Sequence, residues 1–226
     1  MLELELRNDV YRRPLATALD RLGLREGWRC VDVGAGAGDV SVALAQVVGA
    51  DGRVYAVDID PATRDEVASA AAEAGRAQVV ALTQAAEELT LPEPVDLVFC
   101  RFLLLHVHAP LVVLRRMRGA VRPGGWVVAQ EPITSAGRID GKPFSHLAAR
   151  DPDVGARLPA LARQAGLDLV DAWAEAPAWA GPGPVADYLE TATQVAPGDD
   201  AVVLPPLVTV VARRPAGLGD DDRGRR

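Results

Sequence analysis

The chain has 226 residues, 49% hydrophobic and 24% charged, the composition of a globular protein long enough to bury a sizeable core. With 24 lysines and arginines against 31 aspartates and glutamates, the net charge of −7 argues against a nucleic-acid partner. Two cysteines, Cys30 and Cys100, exclude a disulfide framework and a four-thiolate zinc site. No uncharged apolar run is long enough to span a membrane, and the start Met1-Leu2-Glu3-Leu4-Glu5 has acids where a signal peptide needs positive charge. A cytoplasmic address with no membrane partner is the expectation. Lys142 is the only lysine, and the abundance of arginine, alanine and glycine hints at a GC-rich bacterial genome.

In chain order, Leu15, Ala18, Leu19 and Leu22 fall at helical spacing after Pro14, and Gly23 closes that helix. Residues 29–33 form a short β-rich run ending in Gly34-Ala35-Gly36-Ala37-Gly38. A helix is expected from Val40 to Val48, a strand from Arg53 to Asp58, and an alanine-rich helix from Pro61 to Gly75. Val79–Leu82 and Val95–Cys100 read as strands, Pro110–Val121 as a helix, and Pro123-Gly124-Gly125 as a turn into the strand Trp126–Ala129. Strands alternating with helices in this rhythm imply βαβ units and a parallel sheet covered on both faces.

After Glu131 the rhythm breaks. Residues 132–152 read as a loop-like insert, Asp153–Ala165 as a helix, and Leu167–Trp173 as a strand. Residues 174–200 form a second irregular stretch. Val202–Val211 supplies a late strand, with Pro205 and Pro206 at its break or edge. One domain is expected over 1–214, its cofactor half at about 28–131, with a disordered tail over 215–226.

The strongest chemical signal is Val31-Asp32-Val33-Gly34-Ala35-Gly36-Ala37-Gly38. Glycines after a strand let the backbone turn tightly and approach a ligand where the next helix begins. A dinucleotide fingerprint needs glycine at its sixth position; Asp39 stands there, and a carboxylate would repel a pyrophosphate. Gly-x-Gly-x-Gly preceded by Asp32 suits a ligand with a cationic group and no phosphates.

Here the chain resembles the class I S-adenosylmethionine-dependent methyltransferases, over about residues 28–131 and more loosely to 213. Asp32 with Gly34, Gly36 and Gly38 resembles the family's first motif, around the methionine part of the cofactor. Val54–Asp58 resembles the second strand, whose terminal acid accepts the ribose hydroxyls. Ala86-Glu87-Glu88-Leu89 and Pro92 resemble the approach to the fourth strand, and Pro123-Gly124-Gly125 the turn into the fifth. The resemblance implies a doubly wound, Rossmann-like α/β fold, with a mostly parallel seven-stranded sheet and an antiparallel late strand. It implies S-adenosylmethionine as cofactor, held by Asp32, Gly34, Ala35, Gly36, Gly38, Asp58, Ile59, Ala85, Ala86 and Glu87. The chain departs from the family at Ala85, where an aspartate usually bonds adenine; Gln84, Thr83 or the Ala86 backbone N–H are the substitutes.

Arg101, at the end of the fourth strand, is a candidate for the cofactor's carboxylate or an acidic substrate. His106 follows that strand on the ligand-holding side of an open α/β sheet, where a general base could take a proton from an acceptor hydroxyl. Glu131 ends the fifth strand facing the same cleft, and His146 lies in the insert; these three are the catalytic candidates. His108 reads as a surface residue. Phe144, Trp173, Trp179 and Tyr188 read as packing residues or as the lining of an aromatic pocket.

The expected activity is methyl transfer to an oxygen or nitrogen nucleophile of a small organic molecule in specialised metabolism. No His/Asp cluster has metal-ligand spacing, so no metal is expected. Cys100-Arg101-Phe102-Leu103 stands where relatives that methylate nucleic-acid amino groups resemble one another in an Asn/Asp-Pro-Pro-aromatic run. The alternative is a methyltransferase-like protein that binds the cofactor but catalyses a cyclisation or rearrangement. A nicotinamide-dependent reductase is a third, weaker reading. Self-association into a homodimer stays open.

Overall fold

A computed structural model of the chain describes residues 2–139, 142–143, 149–179, 183–193 and 202–216. Two helices come first, α1 (Leu2–Val10) and α2 (Arg12–Leu22), the second closed by Gly23 in the left-handed conformation. Then β1 (Arg29–Val33), α3 (Asp39–Val48), β2 (Arg53–Asp58), α4 (Pro61–Glu73) and β3 (Val79–Thr83) alternate. A one-turn 3-10 helix at Ala86–Glu88 leads to β4 (Val95–Arg101), α5 (Pro110–Ala120) and β5 (Val121–Pro132). Beyond the insert lie α6 (Leu158–Gln164), β6 (Asp168–Glu175), α7 (Pro184–Thr193) and β7 (Leu207–Arg213).

The seven strands form one sheet in the order β3-β2-β1-β4-β5-β7-β6. β1 to β5 pair in parallel, while β7 runs antiparallel to both β5 and β6. This is the expected architecture, down to the antiparallel late strand. The near-continuous apolar runs of β1 and β4 follow from burial on both faces. One face is covered by α2 and α3, whose Leu15, Leu19 and Leu44 pack on Phe99 and Val128. The other is covered by α5 and α6, through Val113, Leu114, Met117, Leu158 and Leu161.

Several elements differ from the sequence reading. α1 is a helix although Leu2, Leu4 and Leu6 alternate with acids at a strand-like period; it packs against α7, so tertiary contact overrides local pattern. α7 itself lies inside the stretch read as irregular. β5 starts at Val121, before the Pro123-Gly124-Gly125 turn, and runs on to Pro132 because β7 pairs with it along its whole later half. Pro205 and Pro206 split the late strand. Val202–Val203 joins a small second sheet with Ala178–Trp179, Arg138–Ile139 and Lys142–Pro143, and the main-sheet strand starts at Leu207. The helix expected from Asp153 opens as 3-10 turns over Val154–Arg157. The tail, from residue 217 on, lies outside the described residues. Among the described residues no helix is long and apolar enough to cross a membrane.

The connection from β3 returns to the far side of β1, so β1 and β4 are neighbours at the point where the strand order reverses. Open α/β sheets hold their ligands in the crevice outside the strand ends at such a switch. The glycine loop after β1 and the turn after β4 both lie there.

Candidate functional site

The glycine loop is tied down from the β2 side. The N–H groups of Gly34 and Ala35 both donate to the Val57 carbonyl, at 2.8 and 3.0 Å, and that of Gly36 donates to Asp58 Oδ2 at 3.0 Å. Three of the loop's donors are therefore spent inward, leaving no cradle of N–H groups from these residues for a pyrophosphate. Asp58 Oδ1 accepts the N–H of Asp60 at 3.1 Å, and Asp60 in turn caps α4 by accepting from Ala62 at 2.9 Å, with Pro61 in the first turn. Asp58 is thus fixed at the mouth of the cleft with lone pairs to spare for incoming hydroxyls.

A cleft of about 240 Å³ opens between this loop and the turn after β4. Gly34, Asp58, Ile59, Gln84, Ala86 and Glu87 line one side, and Leu103, His106, Val107 and His108 the other. Ile59 is 70% exposed at its rim, a large apolar side chain awaiting a cover. Burial, followed by the charge of Arg7, holds the His106 imidazole below its ordinary range, so it is a free base near neutral pH. Of the candidates named from the sequence, Gly34, Asp58, Ile59, Ala86, Glu87 and His106 line this one cleft. Leu103 and Val107, whose apolar character reads as core, also line it, and His108, exposed as expected, stands at its edge.

On the far side of the loop is a second hollow of about 40 Å³, bounded by Ala35, Gly36, Asp39, Arg101 and, from α1, Arg7 and Asn8. Arg101 is only 7% exposed. Its Nη2 donates to Asn8 Oδ1 at 3.0 Å and its Nη1 to the Tyr11 carbonyl at 3.3 Å. Burial lowers its pKa to about 10, so it stays charged at neutral pH.

Four expected site residues need correction. Asp32 lies beneath the loop, fully buried, with Oδ2 accepting the Ser41 hydroxyl at 2.7 Å; burial pushes it up to about 6, and it supports the loop without touching either hollow. Gly38 faces α4 instead of the cleft: a Cβ there would lie 3.3 Å from the Val67 backbone. Ala85 does not line the cleft, and its methyl group offers no acceptor. The suggested substitute Gln84 is already committed, its amide donating to the Thr90 carbonyl at 3.2 Å and accepting the Thr90 N–H at 2.7 Å. Glu131 is no proton shuttle: it is fully buried, and its carboxylate accepts the N–H groups of Leu103, Leu104 and Leu105 at 2.9, 2.7 and 3.4 Å. His146 and Phe144 lie outside the described residues, while Tyr188 is buried and Trp173 stacks with Arg21. Among the described residues no group of three or more His, Cys, Asp or Glu could hold a metal ion.

The turn that Glu131 holds is itself unusual. Phe102 has φ +53°, a conformation bulky residues rarely adopt, and its ring meets Tyr11 edge-on at 5.1 Å under the Arg7 guanidinium. The N–H groups of Arg150 and Asp151 donate to the Leu105 carbonyl, both at 3.0 Å, tying the end of the insert to the same turn.

Fold and site together define a doubly wound α/β protein with a cleft between its glycine loop and the turn after β4, at the switch point of the sheet. Comparison with known proteins agrees. Residues 31–129 match the methyltransferase domain family. The demethylmenaquinone methyltransferase of Bacillus velezensis is 32% identical over 111 residues, covering 49% of this chain and 48% of that protein. The ubiquinone biosynthesis O-methyltransferase of Leptothrix cholodnii is 32% identical over 108 residues, 47% of this chain and 45% of that one. The ubiquinone/menaquinone biosynthesis C-methyltransferase of Vibrio vulnificus is 31% identical over 124 residues, 54% and 48% of the two chains. The chain spans about half the length of these curated relatives. Among solved structures, a SAM-dependent methyltransferase of Aquifex aeolicus superposes with a TM-score of 0.61 at 20% identity, covering 88% of both chains. The [4+2]-cyclase SpnF superposes with a TM-score of 0.66 at 18% identity, covering 91% of this chain and 82% of that one. Over residues 31–129 the chain is similar to the methyltransferase domain family, and its fold is that of S-adenosylmethionine-dependent methyltransferases of known structure.

The residues present fit the cofactor of that family. A Cβ built on Gly36 meets nothing within 4 Å, so the loop's upper side is open space, and its φ of +49° keeps side chains out of it. Asp58 offers acceptors for a ribose diol, and Ile59 an apolar face for a purine.

Proposed function

We propose that this protein transfers the methyl group of S-adenosylmethionine to an oxygen or nitrogen atom of a small organic molecule in specialised metabolism. When bound, the cofactor supplies an electrophilic methyl group on a good leaving group. The observation that carries the reading is His106, an imidazole lining the same cleft as Gly34 and Asp58. Asp58 accepts the ribose hydroxyls, Ile59 covers the adenine, and the Ala86 backbone takes the place of an acidic side chain in reading its edge. His106 accepts the proton that an acceptor hydroxyl loses as the methyl group arrives, or the proton that an amine sheds after its lone pair has taken the methyl group. Positioning supplies about 7–11 kcal/mol of the barrier, and a general base about 10²–10⁴-fold in rate. The curated relatives carry names for both carbon and oxygen methylation, and the histidine favours an acceptor that must lose a proton.

A second reading keeps the cofactor and replaces methyl transfer by cyclisation or rearrangement. It is favoured by the missing adenine acceptor at Ala85, by the committed amide of Gln84, and by the superposition on a cyclase. The test is incubation with methyl-labelled cofactor and a panel of phenols, amines and hydroxy acids, followed by mass spectrometry. Label in an O- or N-methyl product is expected. Tight cofactor binding with no label transferred to any acceptor would favour the second reading instead.

A further inference from the structure

The two edges of the seven-stranded sheet differ in character. β6 carries Asp168, Asp171 and Glu175, and these acids oppose pairing with a further copy of itself. β3 reads Val79-Val80-Ala81-Leu82-Thr83, with no charge and no proline, in unbroken register with β2. Its four apolar side chains are half-buried, whereas Val54–Val57 on β2 beside it are buried. The Val54 N–H donates to the Gln78 carbonyl at 3.1 Å and the Gln84 N–H to the Asp58 carbonyl at 2.8 Å, so the even-numbered residues turn their backbone groups toward β2. Val79, Ala81 and Thr83 therefore turn theirs outward. The Arg76 carbonyl takes the Val79 N–H at 3.1 Å; the Val79 carbonyl and both backbone groups of Ala81 and Thr83 have no partner among the described residues.

We propose that a second copy of this chain docks on β3, the two strands pairing antiparallel about a two-fold axis at Ala81, so that one sheet runs through the dimer. The segment is complementary to itself in that register. Each Ala81 N–H donates to the second copy's Ala81 carbonyl, and each Thr83 N–H to its Val79 carbonyl. Val80 of each copy lies opposite Leu82 of the other, so apolar groups meet across the axis. Charge matches as well. Antiparallel pairing brings the start of one β3, where Arg76 stands, to the end of the other, where Glu87 and Glu88 follow. Arg76 Nε is buried without a hydrogen-bond partner among the described residues, and Glu88 is exposed. A two-fold pair closes on itself, and the acidic β6 edges end the joined sheet on both sides.

Sedimentation velocity across the micromolar range tests it, with wild type expected to run at twice the 23.8 kDa of one chain. Ala81→Pro removes an outward N–H and keeps the bonds to β2, a change that an edge strand tolerates. It is expected to run as a monomer with the circular dichroism spectrum of wild type. Arg76→Glu and Glu88→Arg each set like charges against one another across the axis. Each is expected to raise the dimer dissociation constant about tenfold or more, and the double exchange to restore it to within about threefold of wild type. Should Ala81→Pro fail to fold, the charge exchange decides alone. A wild type that stays monomeric at every concentration overturns the proposal. A dimer that Ala81→Pro leaves intact, or that neither charge reversal weakens, overturns it as well.

Discussion

The carboxylate of Glu131, at the end of β5, accepts the backbone N–H of Leu104 at 2.7 Å, and the turn after β4 is arranged around that bond. The same carboxylate holds Leu103, which packs against Gly34, and Leu105, whose carbonyl receives the end of the insert. His106 follows directly, its own N–H returned to the Leu103 carbonyl at 2.9 Å. One buried acid thus sets the wall of the cleft opposite Asp58.

Glu131→Ala leaves three N–H groups without their acceptor and is expected to cost about 3 kcal/mol or more. In a chain of this length that lowers Tm by roughly 6–12 °C. Glu131→Gln keeps an oxygen for Leu103 and Leu104 and is expected to cost about 1 kcal/mol. Thermal unfolding of the two variants checks the order; equal losses contradict the role.

Stability should fall as pH rises from about 4.5 to about 7. Burial pushes Asp32 from 3.8 up to about 6 and Glu131 from 4.5 up to about 7. Across that window the folded chain binds more protons than the unfolded chain, so raising pH favours unfolding, by on the order of 1 kcal/mol per pH unit. Urea midpoints across this range read the slope directly. In Glu131→Gln the slope is expected to be shallower, with the Asp32 part remaining at its acid end.

Gly36→Val sets a β-branched side chain at φ +49°, pointing into the space beside the loop. The strain costs about 1–2 kcal/mol, too little to unfold a domain of ordinary stability. S-adenosylhomocysteine binding is expected to be lost, with the circular dichroism spectrum retained. Unchanged affinity would contradict the placement of the cofactor.

His106→Ala is expected to lower kcat about 100-fold and leave S-adenosylhomocysteine affinity within about twofold. In wild type, kcat should fall as pH drops through a midpoint below the ordinary histidine range, because burial and Arg7 both favour the neutral ring. A kcat unchanged within about twofold would return His106 to a packing role.

The parallel sheet, the glycine loop and Asp58 were legible in the sequence because each has a local signature. These are apolar runs between turns, glycines at alternate positions, and an acid ending a β-rich run. The role of Glu131 was not legible, since a terminal acid on β5 reads equally as a base or an anchor until the turn after β4 is seen folded onto it. α1 was hidden by its alternating pattern, and with it Asn8, which meets Asp39 and Arg101 across 31 and 93 residues of chain. Asp32 misled in the opposite way. Its position in the motif is that of a ligand contact, but its depth under the loop makes it a support.

The central claim is tested most directly by calorimetric titration of the wild-type protein with S-adenosylhomocysteine, with NAD run beside it. Micromolar binding of S-adenosylhomocysteine and no heat from NAD is the result expected of a cleft whose loop donors are spent on β2 and Asp58. Binding of NAD, or no binding of S-adenosylhomocysteine, would contradict it.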